Sequence, residues 1–208
     1  MTLPRLYPIL DADFLTVPDL ALDSAARALC DAGIRLLQYR NKSGGPQTIL
    51  RDAEIIRNAF SGVNCRLMMN DRADLAVLAG FGGVHVGQDD LSPADARRVV
   101  GANRWVGVST HNDEQVRLAD ETDADYIAVG PVFATVTKTN AEPVIGLDGV
   151  RRARALTAKP IVAIGGITLA NASSVIDADA DSVAVIGALF APGEPLEKLT
   201  RDFLKNLG

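Results

Sequence analysis

Eight short apolar runs, each followed by a stretch with helical periodicity, succeed one another along 208 residues, and this alternation restricts the fold more than any other feature of the chain. The runs lie at Leu6 to Leu10, Leu36 to Tyr39, Cys65 to Met69, Gly83 to Val86, Trp105 to Val108, Tyr126 to Val129, Ile161 to Ile164 and Ser182 to Ile186. They lack the strict alternation of a half-exposed strand and suit strands covered on both faces, as in a parallel sheet wrapped by helices. Helices are predicted at about Asp19 to Asp31, Pro46 to Phe60, Arg72 to Ala79, Pro93 to Val99, Glu114 to Ala119, Leu147 to Leu156, Leu169 to Ile176 and Pro195 to Asn206. Eight βα units predict an α/β chain folded as one compact (β/α)8 TIM barrel over 1–208, although ~250 residues is more usual for that architecture. No linker or low-complexity tract marks a second domain. An open doubly wound sheet would need a glycine fingerprint beside the first strand, and Leu10-Asp11-Ala12-Asp13 has none.

Charge narrows the partners. A formal net charge of −5 argues against nucleic acid and anionic membrane, since both require a concentrated basic face. No basic and apolar signal pattern opens the chain and no uncharged apolar run is long enough to span a bilayer, so a cytoplasmic protein is expected. Cys30 falls in a helical pattern and Cys65 at a strand start, without CxxC or Cys/His spacing, which predicts reduced core thiols. A homo-oligomer is compatible with all of this.

The stretch Leu67 to Leu91 shows best how a site is assembled. The third strand ends in Asn70-Asp71 and the fourth in Gln88-Asp89-Asp90. A parallel strand-helix-strand unit brings both carboxyl ends to one edge, so Asp71 and Asp90 converge although distant in sequence. Two carboxylates at one edge suit a hard cation such as Mg²⁺, which keeps several waters and takes one or two protein carboxylates. Each aspartate alone is equally explained as a cap or turn residue.

The other strand ends add to this inventory, because barrel enzymes work at the carboxyl-terminal face. The second strand leads into Gln38-Tyr39-Arg40-Asn41-Lys42, whose alternation sends Gln38, Arg40 and Lys42 to one side if the extended geometry persists; a solvated turn is the plainer account. The fifth ends in Ser109-Thr110-His111-Asn112, where hydroxyls cap a helix or bind ligand oxygen. His111 is open between ligand and structural roles, whereas His85, inside a strand pattern, reads as structural. The sixth opens the long segment Pro131 to Gly146, a candidate lid in which Thr135, Val136, Thr137 and Lys138 offer hydroxyls, backbone and a point charge. The seventh and eighth end in Gly165-Gly166 and Ile186-Gly187, the place where barrels hold phosphate on backbone N–H groups, although tight packing also demands glycine. Two carboxylates, three cations and a separate neutral pocket suggest Mg²⁺-diphosphate beside a monophosphate on a second substrate.

Taken together these motifs resemble the thiamine phosphate synthase family. The likeness is carried by QYRNK at 38–42, NDRADLA at 70–76, GVHVGQDDL at 83–91, GVSTH at 107–111, DYIAVGPVFATVTK at 125–138 and PIVAIGGI at 160–167. The resemblance implies a transferase that joins a hydroxymethylpyrimidine diphosphate to a thiazole phosphate, or its carboxylated form, giving thiamine phosphate and pyrophosphate. It implies that Gln38 to Lys42, Asn70, Ser109 and Lys138 bind the diphosphate substrate, with Ser109 and Lys138 taking part in the chemistry. Asp71 and Asp90 would hold Mg²⁺, and Thr135 to Thr137, Gly166, Ile186 and Gly187 the thiazole phosphate. Three positions depart from the family pattern: Gly187 where Ser is usual, Ala134 where Pro is usual, and Asp179 where Gly is usual, the last expected to tolerate a left-handed backbone. A thiazole tautomerase on the same scaffold needs no diphosphate site, so the retained Asp71, Asp90, Arg40, Lys42 and Lys138 count against it. A noncatalytic sensor of phosphate ligands is the rival from another class.

Overall fold

The computed structural model describes residues 2–16, 21–135, 142–191 and 193–208. Eight parallel strands close into a barrel in sequence order, β1 pairing with both β2 and β8. The strands are β1 (Leu6–Asp11), β2 (Leu36–Arg40), β3 (Arg66–Asn70), β4 (Gly83–Val86), β5 (Trp105–Thr110), β6 (Tyr126–Val129), β7 (Ile161–Ile164) and β8 (Ser182–Val185). Around them lie α1 (Leu22–Asp31), α2 (Pro46–Ala59), α3 (Ala73–Leu78), α4 (Pro93–Val100), α5 (Asp113–Asp120), α6 (Gly146–Leu156), α7 (Ala172–Ile176) and α8 (Leu196–Leu207). The predicted (β/α)8 architecture is the one observed.

The pleat sorts side chains into two cores. Alternate residues, among them Tyr7, Ile9, Leu36, Met68, Tyr126 and Val162, fill the bore, while the intervening ones, such as Leu6, Leu10, Leu37 and Val106, pack under the helices. Each such large side chain withdrawn from water contributes ~1.5–3 kcal/mol, which is why the strand runs are apolar without alternation. Small residues give the bulky ones room: a side chain on Gly107 would collide with the Tyr126 ring, and one on Gly83 with the end of Met68. At the amino-terminal end the Arg66 guanidinium lies 4.0 Å from the centre of the Trp105 ring.

Element limits shift where side chains reach the backbone. Helix α7 begins at Ala172 rather than Leu169, since Asn171 first closes a turn by accepting from the Thr168 N–H at 2.8 Å. Helix α1 is described from Leu22, and the predicted start at Asp19 lies outside the described residues. Strands β2 and β5 extend past their predicted ends to Arg40 and Thr110, because the ladder continues through Asp11–Arg40 and Thr110–Val129. Two 3₁₀ turns, Ala12–Thr16 and Gly187–Phe190, follow β1 and β8 and meet through stacked Phe14 and Phe190 rings 5.7 Å apart. Asp179 adopts the left-handed backbone expected of it, with φ 69°. Among the described residues no helix is long and apolar enough to cross a membrane.

Candidate active site at the barrel mouth

The carboxyl ends of β1 to β4 carry the charge. Arg40, last in β2, sits in register with Asp11, last in β1, and its guanidinium donates to the Asp11 carboxylate. Asp11 is 1% exposed, so the pair is withdrawn from water; removing either partner leaves a buried charge, at a typical cost of ~3–5 kcal/mol. Asp13 adds a second carboxylate 3.8 Å from the same guanidinium. Sequence reasoning missed Asp11 as the group that orients Arg40. The available signal was two neighbouring strands ending in opposite charges.

Asp71 follows β3 with φ 60°, a strained conformation that aspartate tolerates, fixed by its N–H donating to the His85 carbonyl at 2.7 Å. The capping alternative falls away for this residue, since α3 begins after Arg72 without a side-chain cap. Burial raises the Asp71 carboxyl above its ordinary range, and the Asp90 carboxylate beside it adds to that rise, while the Lys42 ammonium that donates to Asp71 pulls it down. Lys42 is half exposed, so this pair contributes under ~1 kcal/mol. Asp90 also serves its own turn, accepting from the Gly87 N–H at 2.8 Å. The two aspartates therefore face each other, as the topology predicted. Their all-oxygen donors and mutual repulsion suit a small hard cation, which would relieve that repulsion. Among the described residues no cluster of three or more His, Cys, Asp or Glu forms a richer metal cage.

The 38–42 segment is divided by its own pleat. Gln38 points into the bore, 2% exposed, and its Nε2 donates to the Tyr7 hydroxyl at 3.1 Å. Tyr39 and Asn41 turn the other way: the Tyr39 hydroxyl donates to Asp52 of α2, and Asn41 Nδ2 donates to Tyr39 at 3.0 Å while its Oδ1 accepts from the Gly44 N–H. These two side chains, read above as part of a binding segment, belong to the helix layer, where they anchor the loop carrying Lys42. Burial and the Asp52 carboxylate keep the Tyr39 hydroxyl protonated.

On the next strands, Asn70 ends β3 half-buried, and Ser109 sits in β5 with its hydroxyl 2.9 Å from His85 Nε2. His85 lies in the bore, with Nδ1 3.0 Å from the Tyr126 hydroxyl. His111 resolves to a tie between loops: its Nδ1 lies 2.6 Å from the Gly130 carbonyl and so donates to it. Gln88 Nε2 donates to the Ser109 carbonyl at 2.6 Å, joining the β4 and β5 ends.

The β6 to β8 half of the mouth is built from backbone. The Val132 and Phe133 N–H groups donate to the Ile164 and Gly165 carbonyls at 2.9 and 3.0 Å, fastening the start of the long segment onto the end of β7. Gly165 and Gly166 have φ of 100° and 63°, and a side chain on either would collide with this segment, at Pro131 and at Ala134 and Phe133 respectively. Packing alone thus accounts for both glycines. Thr135 is half-buried at the end of the described segment, Ile186 packs against the bore, and Gly187 opens the 3₁₀ turn. Val136, Thr137 and Lys138 lie outside the described residues.

A closed barrel whose charged and glycine-lined strand ends meet at one mouth defines an enzyme of the (β/α)8 class. The family model described as thiamine monophosphate synthase matches residues 6–189, and the chain belongs to that family. It is 56% identical over 191 residues to the thiamine-phosphate synthase of Koribacter versatilis, covering 91% of this chain and 90% of the relative. A second such synthase, from Chloroflexus aurantiacus, is 42% identical over 90% of this chain and 85% of its own. Among solved structures, thiamine phosphate pyrophosphorylase from Pyrococcus furiosus superposes with a TM-score of 0.86 at 28% identity, covering 98% of this chain and 95% of that one.

Proposed function

We propose that this chain is a Mg²⁺-dependent thiamine-phosphate synthase, condensing a hydroxymethylpyrimidine diphosphate with a thiazole phosphate, or its carboxylated form. The observation that supports the Mg²⁺-diphosphate part of this reading is the facing pair Asp71 and Asp90, with Lys42 on Asp71, set beside Arg40 on one edge. Asp71 and Asp90 would hold Mg²⁺, which when bound neutralises charge gathering on the departing diphosphate. In the reaction the carbon–oxygen bond to the diphosphate breaks, the electron pair leaves on pyrophosphate, and the thiazole nitrogen lone pair closes the new carbon–nitrogen bond; a carboxylated thiazole would also release CO2, the bonding pair staying on the ring carbon, which takes up a proton. Arg40 and Lys42 are assigned to the diphosphate; Asp11 aims the first, and the half-exposed stem of the second lets its ammonium exchange a carboxylate for a phosphate oxygen. Gln38, Asn70 and Ser109 are assigned to the pyrimidine, Lys138 to charge stabilisation, and Thr135, Val136, Thr137, Gly166, Ile186 and Gly187 to the thiazole phosphate. No covalent protein nucleophile is needed, so rate comes from alignment and electrostatics.

The deciding experiment supplies both substrates with and without Mg²⁺ and follows thiamine phosphate and pyrophosphate together. Equal amounts of both products, dependent on Mg²⁺, are expected. Isomerisation of the thiazole alone would favour the tautomerase, and binding of either phosphate without turnover the sensor. The proposal extends to a cytoplasmic setting, with self-assembly to be settled by sedimentation.

A further inference from the structure

The bore holds a polar chain that the reaction as outlined does not use. Gln38 Nε2 lies 3.1 Å from the Tyr7 hydroxyl, which lies 3.0 Å from that of Tyr126; Tyr126 lies 3.0 Å from His85 Nδ1, and His85 Nε2 is 2.9 Å from Ser109 Oγ. Five residues from β2, β1, β6, β4 and β5 thus link Gln38 to Ser109 across the barrel. Tyr7 and Tyr126 are buried at 1% and 0% exposure, and the Tyr126 ring stacks on His85 at 5.6 Å. Gly107 is the residue that leaves space for that ring. Burial drives both phenol pKa values up, so each hydroxyl keeps its single proton.

Proton counting then orders the chain. An amide nitrogen only donates, so Gln38 Nε2 gives its hydrogen to Tyr7. The arrangement that gives every buried proton an acceptor on a neutral His85 sends the Tyr7 proton to Tyr126 and the Tyr126 proton to His85 Nδ1, and leaves the His85 proton on Nε2, donating to Ser109 Oγ. The Ser109 proton is left for a ligand, as is Gln38 Oε1, which takes no donor among the described residues. Turning the Gln38 amide over would allow the whole sequence to reverse, so the two ends cannot be set independently.

We propose that Tyr7, Tyr126 and His85 are positioning residues that fix the directions of the Gln38 amide and the Ser109 hydroxyl together, presenting one acceptor and one donor to the amine-and-ring-nitrogen edge of an aminopyrimidine. The inference rests on the function proposed above, and the test separates the two. Ring-nitrogen NMR on the full chain reads the tautomer of His85, one of only two histidines, with His111→Gln to assign the signals. Calorimetry with Mg²⁺ measures hydroxymethylpyrimidine diphosphate, and separately inorganic pyrophosphate, on the wild-type protein, Tyr126→Phe and Tyr7→Phe. The wild type is expected to show the Nε2–H tautomer, and Tyr126→Phe a mixture. Each phenylalanine variant should bind the pyrimidine diphosphate about 5- to 10-fold more weakly, the worth of a hydrogen bond, with pyrophosphate affinity unchanged. Should Tyr126→Phe not fold, Tyr7→Phe, which removes one oxygen at the other end, carries the same comparison. An Nδ1–H tautomer in the wild type, full pyrimidine affinity in the variants, or equal weakening of pyrophosphate would overturn the inference. A wild-type protein that binds pyrophosphate but no pyrimidine diphosphate would overturn the function reading first, and the tautomer result would still stand by itself.

Discussion

The two halves of the barrel mouth are made of different materials. On β1 to β4, side chains supply charge and hold one another: Asp11 with Arg40, Lys42 with Asp71, and Asp71 facing Asp90. On β6 to β8 the described residues supply backbone, with Val132 and Phe133 bonded to Ile164 and Gly165 and two left-handed glycines under the long segment. Under the proposed function, the charged half would meet a leaving group whose charge changes, and the backbone half a phosphate that only has to be held. The first half trades stability for charge at an edge; the second obtains rigidity from close packing.

Substitutions in each half should therefore fail in different ways. The largest effect is expected from Asp11→Ala, which strands the Arg40 guanidinium, 17% exposed, without its buried partner. A loss of about 3 kcal/mol in folding stability is expected, the low end for a broken buried pair because Arg40 can relax toward Asp13. Urea unfolding measures it, and a loss under ~1 kcal/mol would show that the pair behaves as a surface one. Next comes Gly166→Ala in the opposite half, where φ of 63° and contact with Ala134 and Phe133 act together. About 2 kcal/mol is expected. Gly33→Ala is the control, with φ 95° and nothing within 4 Å, and should cost only about 1 kcal/mol. Equal losses at the two glycines would mean that the packing contact carries no energy.

Asp71→Asn and Asp90→Asn should behave as neither of these, disturbing catalysis more than folding. Removing one carboxylate also removes the repulsion that raises the Asp71 carboxyl, so folding stability should hold or rise slightly. Mg²⁺-dependent turnover should fall at least ~10-fold. Steady-state rates against Mg²⁺ concentration check this, and unchanged activity with unchanged Mg²⁺ dependence in both variants would sink the metal assignment.

The sequence was most legible where periodicity governs. Buried parallel strands are unbroken apolar runs, so β4, β6 and β7 were located to the residue. It was least legible where function depends on which face a residue occupies. Tyr39 and Asn41 sit inside a polar motif yet anchor α2, because a pleat sends neighbours to opposite sides whatever their chemistry. Tyr7 and Tyr126 fall inside strand runs, and their hydroxyls become meaningful only when the closed barrel brings β1 and β6 face to face across the bore. Asp71 is the intermediate case: topology brought it to Asp90, but its left-handed backbone had no glycine to announce it.

The smallest expected effect tests the backbone half at Gly187, where the eighth strand gives way to its 3₁₀ turn. If N–H groups after β8 hold the thiazole phosphate, Gly187→Ser adds one hydroxyl donor to a site that already works. Affinity for that phosphate should rise by about 1 kcal/mol, the net value of an ordinary hydrogen bond, and somewhat more if the acceptor is charged. Gly187 opens the 3₁₀ turn over Gly187–Phe190 and is not among the described residues with positive φ, so serine meets no backbone penalty of the kind expected at Gly166. Affinity for the diphosphate substrate should not change, because Arg40, Lys42, Asp71 and Asp90 stand on β2 to β4 and their loops, and Lys138 belongs to the segment after β6 rather than to the turn that Gly187 opens after β8. Dissociation constants for both substrates on both proteins decide the matter. Tighter thiazole phosphate binding alone would mean that the two halves of the mouth recognise their ligands independently; weaker binding would make Gly187 a steric requirement and extend the close packing of Gly165 and Gly166 to the end of β8.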